Sequence, residues 1–256
     1  MASYFVIAAV AVLMMGVLLG AVELGYRHGL RNPADEHLAA HATSWEAALL
    51  GMLALLIGFT FAMAVTRFDH RRDLILDEAN AIESTALRAR YVDPPVRDRV
   101  EALLIPYLEA RIRAYDAGMN MHLTFALFEE AEALQRQLWD QVVTLVEAHP
   151  NSESAVAFME AADDLVKAEA RRRAALDNHV PLPVFVVLLL VAAAGMLVTG
   201  YSCGIHRRRL PLGMVLMPVL IVLVVVMVFN IDYPRVGVIR AGQGAMIRLL
   251  HAVARG

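Results

Sequence analysis

Four stretches of this chain, residues 4–22, 47–65, 180–205 and 210–231, contain no Asp, Glu, Lys or Arg. A hydrocarbon core of about 30 Å is crossed by roughly twenty residues of α-helix, so each stretch is long enough to span a bilayer. Composition agrees: 59% of the 256 residues are hydrophobic and only 19% are charged, against roughly 25% charged in a soluble domain. The sequence therefore predicts an all-α, polytopic membrane protein with four transmembrane helices. A cleaved signal peptide explains residues 4–22 poorly, because no basic side chain precedes them and Glu23 follows directly. The single cysteine, Cys203, excludes intrachain disulfides, zinc ribbons and CxxC redox chemistry. A net charge of −3 gives no footprint for nucleic acid.

The runs pair into two hairpins. Residues 1–66 hold the first, with spans at about 4–22 and 47–65; residues 67–180 form an insertion; 181–231 hold the second hairpin and 232–256 a tail. Positive residues near span ends mark the cytoplasmic side. Arg67, Arg71, Arg72, Lys167, Arg171, Arg172 and Arg173 flank the insertion, and Arg235, Arg240 and Arg248 lie in the tail. The hairpin loops have Arg27 and Arg31, and the triplet Arg207 to Arg209, which argues the other way. The balance predicts a multi-pass protein of a bacterial inner membrane, with both termini and the insertion cytoplasmic.

The insertion reads as helical throughout. No proline lies between Trp45 and Tyr91, and no glycine after Gly58, so the second span should leave the membrane as one long helix. Ile75, Ala79, Ile82 and Ala86 form an apolar stripe along it. Asp93-Pro94-Pro95 ends that helix. A second helix runs to about Ala117 with a bend at Pro106, and Gly118 suits its C-cap. A third covers about 124–149 and stops at Pro150; Asn151 or Ser152 caps a fourth that reaches His179.

Few residues invite chemistry. His37 and His41 stand one turn apart near Asp35 and His28, on what reads as a short outer helix; two imidazoles are a weak metal pair, and no HExxH is present. Asp69, Asp73 and Asp77, continued by Asn80 and Ser84, share one face of the long helix. In a symmetric ring they would line a cytoplasmic vestibule with carboxylates and favour cations; the plainer account pairs them with Arg71, Arg72 and Arg88 or leaves them in water. The spans lack the ionisable groups of proton relays. Gly16, Gly20, Gly51, Gly58, Gly195 and Gly200 suit close helix contact. The scattered methionines suit packing. No nucleophile–base–acid set, phosphate loop or dinucleotide fingerprint occurs, so an enzyme is not expected and no cofactor is implied.

The segment Gly58-Phe59-Thr60-Phe61-Ala62-Met63-Ala64-Val65-Thr66-Arg67-Phe68 resembles the pore-lining second span of bestrophin channels, in which a glycine and phenylalanine precede an apolar stretch and a Val-Thr-Arg-aromatic motif. Together with Leu76-Asp77-Glu78-Ala79-Asn80-Ala81-Ile82, and with Arg235 and Gly237 after the last span, it resembles a bacterial bestrophin-like family of unassigned function. The resemblance implies four spans, cytoplasmic termini, a helical cytoplasmic insertion and a homo-oligomer, specifically a pentamer, that conducts small inorganic ions. It places Phe59 and Leu55 in an apolar pore neck and Thr66, Arg67 and Phe68 in the interface motif. Gly51 stands where the family has a bulky residue, so the neck should be shorter or wider here. The calcium-regulated members carry an acidic cluster after the last span; Asn230-Ile231-Asp232-Tyr233-Pro234-Arg235 offers one carboxylate, which weakens the case for calcium gating. Anion and cation selectivity both stay open. The competing reading is a non-conducting membrane protein whose helical bundle binds a partner or transmits a signal.

Overall fold

The computed structural model describes residues 2–31, 36–118, 120–207, 211–233 and 242–254. Eight helices account for nearly all of them: α1 Ala2–Arg31, α2 Glu36–Ala89, α3 Pro94–Asp116, α4 Met121–Ala148, α5 Glu153–Asp177, α6 Leu182–Ile205, α7 Pro211–Asp232 and α8 Gly244–Val253. No strand occurs among the described residues. Four helical stretches are long and apolar enough to cross a membrane, lying in α1, α2, the α5–α6 stretch Glu153–Ile205, and α7. The chain divides into two compact units, one holding the residues up to Thr66 with His179–Tyr233, the other Arg67–Asn178 with α8.

In the first unit, α1 packs on α6 backbone to backbone. A methyl group on Gly25 would come within 1.9 Å of the Leu197 carbonyl oxygen, and one on Gly29 within 2.4 Å of the Tyr201 carbonyl. From the other side, a methyl group on Gly200 would come within 2.0 Å of the Val22 carbonyl oxygen and one on Gly204 within 2.4 Å of that of Tyr26. Two glycine pairs spaced by four residues therefore interlock, and because the contacts rise together along both helices, α1 and α6 run parallel. Lipid tails are as apolar as leucine, so such helices associate by close packing, which small residues permit. Gly200 is thus used as expected, and Gly195 lies in ordinary contact with Leu49 and Leu50. By contrast, Gly16, Gly20, Gly51 and Gly58 face open space in the protomer. The carboxylate of Asp232, at the end of α7, is buried and accepts the Val180 N–H at 2.9 Å just before α6.

The second unit is a bundle built on the inner part of α2. Ile75, Ala79 and Ile82 are buried in its core, with Ala86 packed against them, as the stripe requires. Leu104, Leu108, Phe158 and Leu165 join them, and α8, a helix not foreseen from the tail, seats Met246 and Leu249 in the same core. Helix boundaries follow local chemistry. Pro94 opens α3, Asn120 and Ser152 cap α4 and α5 with their side chains, and Gly118 turns the chain at a φ of 57°. α3 holds Pro106 inside one helix. Two expectations need correcting: α4 starts at Met121, before Thr124, because Asn120 supplies the cap, and α5 ends at Asp177, before His179.

Gly25→Ala or Gly200→Ala should force the α1 and α6 backbones apart and cost about 1–3 kcal/mol or more, read as a lower melting temperature of the detergent-solubilised protein. Gly213→Ala, where a methyl meets nothing within 4 Å, should leave it unchanged.

Candidate functional site

α2 is amphipathic in two different senses along its length. Leu53, Thr60, Ala64, Arg71, Ile75, Glu78, Ile82, Thr85 and Ala89 are all buried and follow one another at helical spacing. On the opposite side Leu55, Phe59, Ala62, Thr66, Asp69, Asp73 and Asn80 recur at steps of four, three, four, three, four and seven, and every one is exposed. Leu55 and Phe59 show 64% and 69% of their surface. The exposed face is therefore apolar within the uncharged run and carboxylate-lined beyond it, with Asp77 beside the stripe and exposed as well. No ion pair is seen for Asp69, Asp73 or Asp77 among the described residues. Of the arginines offered as their partners, Arg71 donates to the carbonyls of Ala175 and Asn178, Arg88 donates to that of Ala157 at 2.6 Å, and Arg72 is exposed.

The motif residues divide between faces. Thr66 is exposed and its hydroxyl donates to the Ala62 carbonyl at 2.9 Å, a bond that keeps a β-branched polar residue compatible with helix. Phe68 packs partly buried against the bundle core. Arg67 is half-buried, with its Nη1 enclosed and unpartnered in the protomer. The histidine pair falls partly outside the described residues. His41 belongs to α2 itself, not to a separate short helix; the side chain of His37, like Asp35, lies outside the described residues, and His28 packs near Tyr201 at 5.8 Å between ring centroids. No three metal-capable side chains converge among the described residues. Asp232, the one carboxylate of the post-span segment, is occupied with Val180; Arg235, Gly237 and Arg240 lie outside the described residues.

Sequence reasoning missed the group that fixes the rotation of α2. Glu78 is fully buried and accepts from Arg111 Nε at 2.6 Å and Nη2 at 3.2 Å, from Arg172 and from the Tyr107 hydroxyl at 3.2 Å. Arg111 also donates to Glu169 at 3.0 Å. Two carboxylates and two guanidiniums thus balance across α2, α3 and α5. Burial alone would raise the Glu78 pKa, but Arg111 and Arg172 outweigh it and hold the carboxyl below its usual range. Burial and the neighbouring Glu78 charge push the Tyr107 hydroxyl well above its usual value, so it remains a donor. Burial opposes the Arg111 charge, but Glu78 overcomes this and keeps the guanidinium protonated.

Removing one member of such a set leaves the others buried and unpaired, so Glu78→Gln should destabilise the protein by about 3–5 kcal/mol. The folded pKa lies below the unfolded one, so this contribution is complete above the unfolded carboxyl value near 4.5 and fades as pH falls toward the folded value. Thermal melts of wild type should drop steeply with acid below pH about 4.5, and those of Glu78→Gln should drop less.

Residues 47–246 match the bestrophin-like domain. Solved structures share the fold over nearly the whole chain. A bacterial bestrophin homologue from Klebsiella pneumoniae carrying a leucine-to-threonine substitution is 14% identical, with a TM-score of 0.68, and the match covers 98% of this chain and 99% of that one. The same homologue with a tyrosine-to-alanine substitution is 13% identical at a TM-score of 0.68, covering 96% and 99%. A structure described as a membrane protein with a proline-to-alanine substitution is 14% identical at 0.69, covering 97% of each chain. The comparison with curated proteins gives no match. A domain match that runs from within α2 to the start of α8 identifies the lineage: the chain belongs to the bestrophin-like family.

Proposed function

We propose that the protein is an ion channel assembled from several copies of this chain, with the exposed face of α2 lining the path. The observation that carries the reading is the change of character along that single face. Exposed Leu55 and Phe59 alone would suit lipid, but the same line continues as Asp69, Asp73 and Asn80, side chains that need water. One protomer has too little interior to enclose a path, so a ring is required. A ring with this face inward has an apolar neck at Leu55 and Phe59 that expels water until it widens. A carboxylate vestibule at Asp69, Asp73, Asp77 and Asn80 follows. Gly51, facing open space one turn from Leu55, keeps the neck short. The family resemblance favours a pentamer, in which the enclosed Nη1 of Arg67 meets its partner on a neighbour or at a lipid headgroup.

The same reading places the bundle and both termini in the cytoplasm of a bacterial inner membrane. The parallel packing of α1 on α6 supports it. Two parallel spans separated by a single return span have the insertion on the side where the chain began, and the arginines around the insertion favour the inside. Gln137→Cys in a Cys203→Ser background should resist an impermeant thiol reagent applied to intact cells. Labelling from outside would overturn this topology.

Phe59→Ala in reconstituted vesicles tests the neck. A wider, wetter constriction should raise ion flux while the oligomer persists; lower flux from a dissociating oligomer would mean that Phe59 packs against a neighbour. Asp69→Asn with Asp73→Asn should shift the reversal potential in a salt gradient toward anions. An unchanged potential would remove the aspartate face from the path and favour the partner-binding alternative for the bundle.

A further inference from the structure

The insertion has one strongly uneven feature. Between Asp116 and Glu129 twelve consecutive residues carry no Asp, Glu, Lys or Arg, its longest such stretch. It covers the α3–α4 turn and the first turns of α4. Leu127 and Phe128 are core, packed with Ala114. Met121, Leu123 and Phe125 are not: they show 58%, 47% and 56% of their surface. The Asn120 side chain accepts the Leu123 N–H at 3.1 Å, so the apolar residues begin at the tip itself. The opposite end of the bundle is built differently. There Asp93, Asp98, Glu147, His149 and Glu153 are exposed, His149 Nε2 meets Asp93 Oδ2 at 2.7 Å, and the exposed Tyr91 sits beside Arg90 and Asp93 in sequence.

Side-chain links give the axial level of the apolar tip. Arg111 of α3 and Arg172 of α5 meet Glu78 of α2, while Arg71 meets Ala175 and Asn178. Seven residues back along α2 from Glu78 is Arg71, and seven residues forward along the antiparallel α3 from Arg111 is Gly118. The turn is therefore level with Arg71 and Asn178. Arg67, where the uncharged run of α2 has just ended, is only about 6 Å further along the axis. A headgroup layer is roughly 5–8 Å deep on each side of the hydrocarbon, and apolar side chains of interfacial segments enter about 5–10 Å into it.

We propose that the start of α4 is a membrane-surface anchor, with Met121, Leu123 and Phe125 inserted among the lipids of the leaflet into which α2 and α6 open. The bilayer is the chosen occupant because the apolar tip lies at the same end of the bundle as Arg67 and Asn178, the residues next in sequence to two uncharged runs, and the charged end is the opposite one. The anchor rests on the spanning reading given above but not on conduction, since a non-conducting protein would hold it equally.

The test uses the full chain in vesicles, with Phe125→Trp in a Trp45→Phe, Trp139→Phe background. Two further tryptophan variants serve as references: Leu216→Trp, on the apolar run of α7, and Val143→Trp, exposed in the middle of α4. The Phe125→Trp emission should be lost with lipids brominated near the headgroup end of the acyl chain and be little affected by aqueous acrylamide. Val143→Trp should behave in the reverse way. Acrylamide quenching of Phe125→Trp as strong as at Val143→Trp would overturn the anchor, and so would shielding from both quenchers, which would mean that another protein surface covers it. If Leu216→Trp also escapes bromine, the spanning reading itself falls; if Leu216→Trp is quenched and Phe125→Trp is not, only the anchor falls.

Discussion

Everything about the exposed face of α2 depends on the buried carboxylate on its other side. A charge at Glu78, with no exposed surface, is tolerable only while Arg111, Arg172 and Tyr107 surround it, because an isolated ion in a low-dielectric interior costs several kcal/mol. Turning α2 about its axis would carry Glu78 away from all three. The rotation of the inner part of α2 is thus tied to one position. Asp69, Asp73 and Asn80 point away from the bundle core because Glu78 points into it.

The two units hold together by different physics, which follows from their different surroundings. The bundle has water to drive burial of Leu104, Leu108, Phe158 and Leu165. The spans gain nothing by exchanging lipid for leucine, so α1 and α6 rely on glycines at 25, 29, 200 and 204 to bring their backbones together. α2 takes part in both regimes. Its apolar stretch uses Thr60 and Thr66, whose hydroxyls return to the carbonyls four residues back and leave no polar group open. Its inner stretch uses Thr85, which bonds both Ala81 and Ala161 and so joins α2 to α5.

This division explains what could be read from the sequence. The four apolar runs, the breaks at Asp93-Pro94-Pro95 and Gly118, the buried stripe at Ile75, Ala79 and Ile82 and the shared face of the aspartates were all legible, since each is a local pattern with a local cause. Of the four interlocking glycines only Gly200 was singled out. Gly204 lies in the same uncharged run, whereas Gly25 and Gly29 fall beyond Glu23, where the first uncharged run ends; the i, i+4 repeat on both helices was the available signal. Glu78 was quoted only as part of a motif. A buried carboxylate and a solvated one are identical in sequence, and its partners lie 33 and 94 residues away. α8 was hidden because a ten-residue helix in a tail has too few turns for its period to stand out.

The placement of the ion network within the bundle has a further consequence for motion. Arg111 and Arg173 both lie over the Phe128 ring, at 5.5 and 5.4 Å from its centroid, so the charged cluster around Glu78 is tied through Phe128 to the start of α4. That is the segment whose next residues outward are the exposed Phe125, Leu123 and Met121. A guanidinium over an aromatic face is an attraction of about 0.5–2 kcal/mol that strengthens as water is excluded. Whatever holds the α3–α4 turn is therefore mechanically linked to the group that sets the rotation of α2.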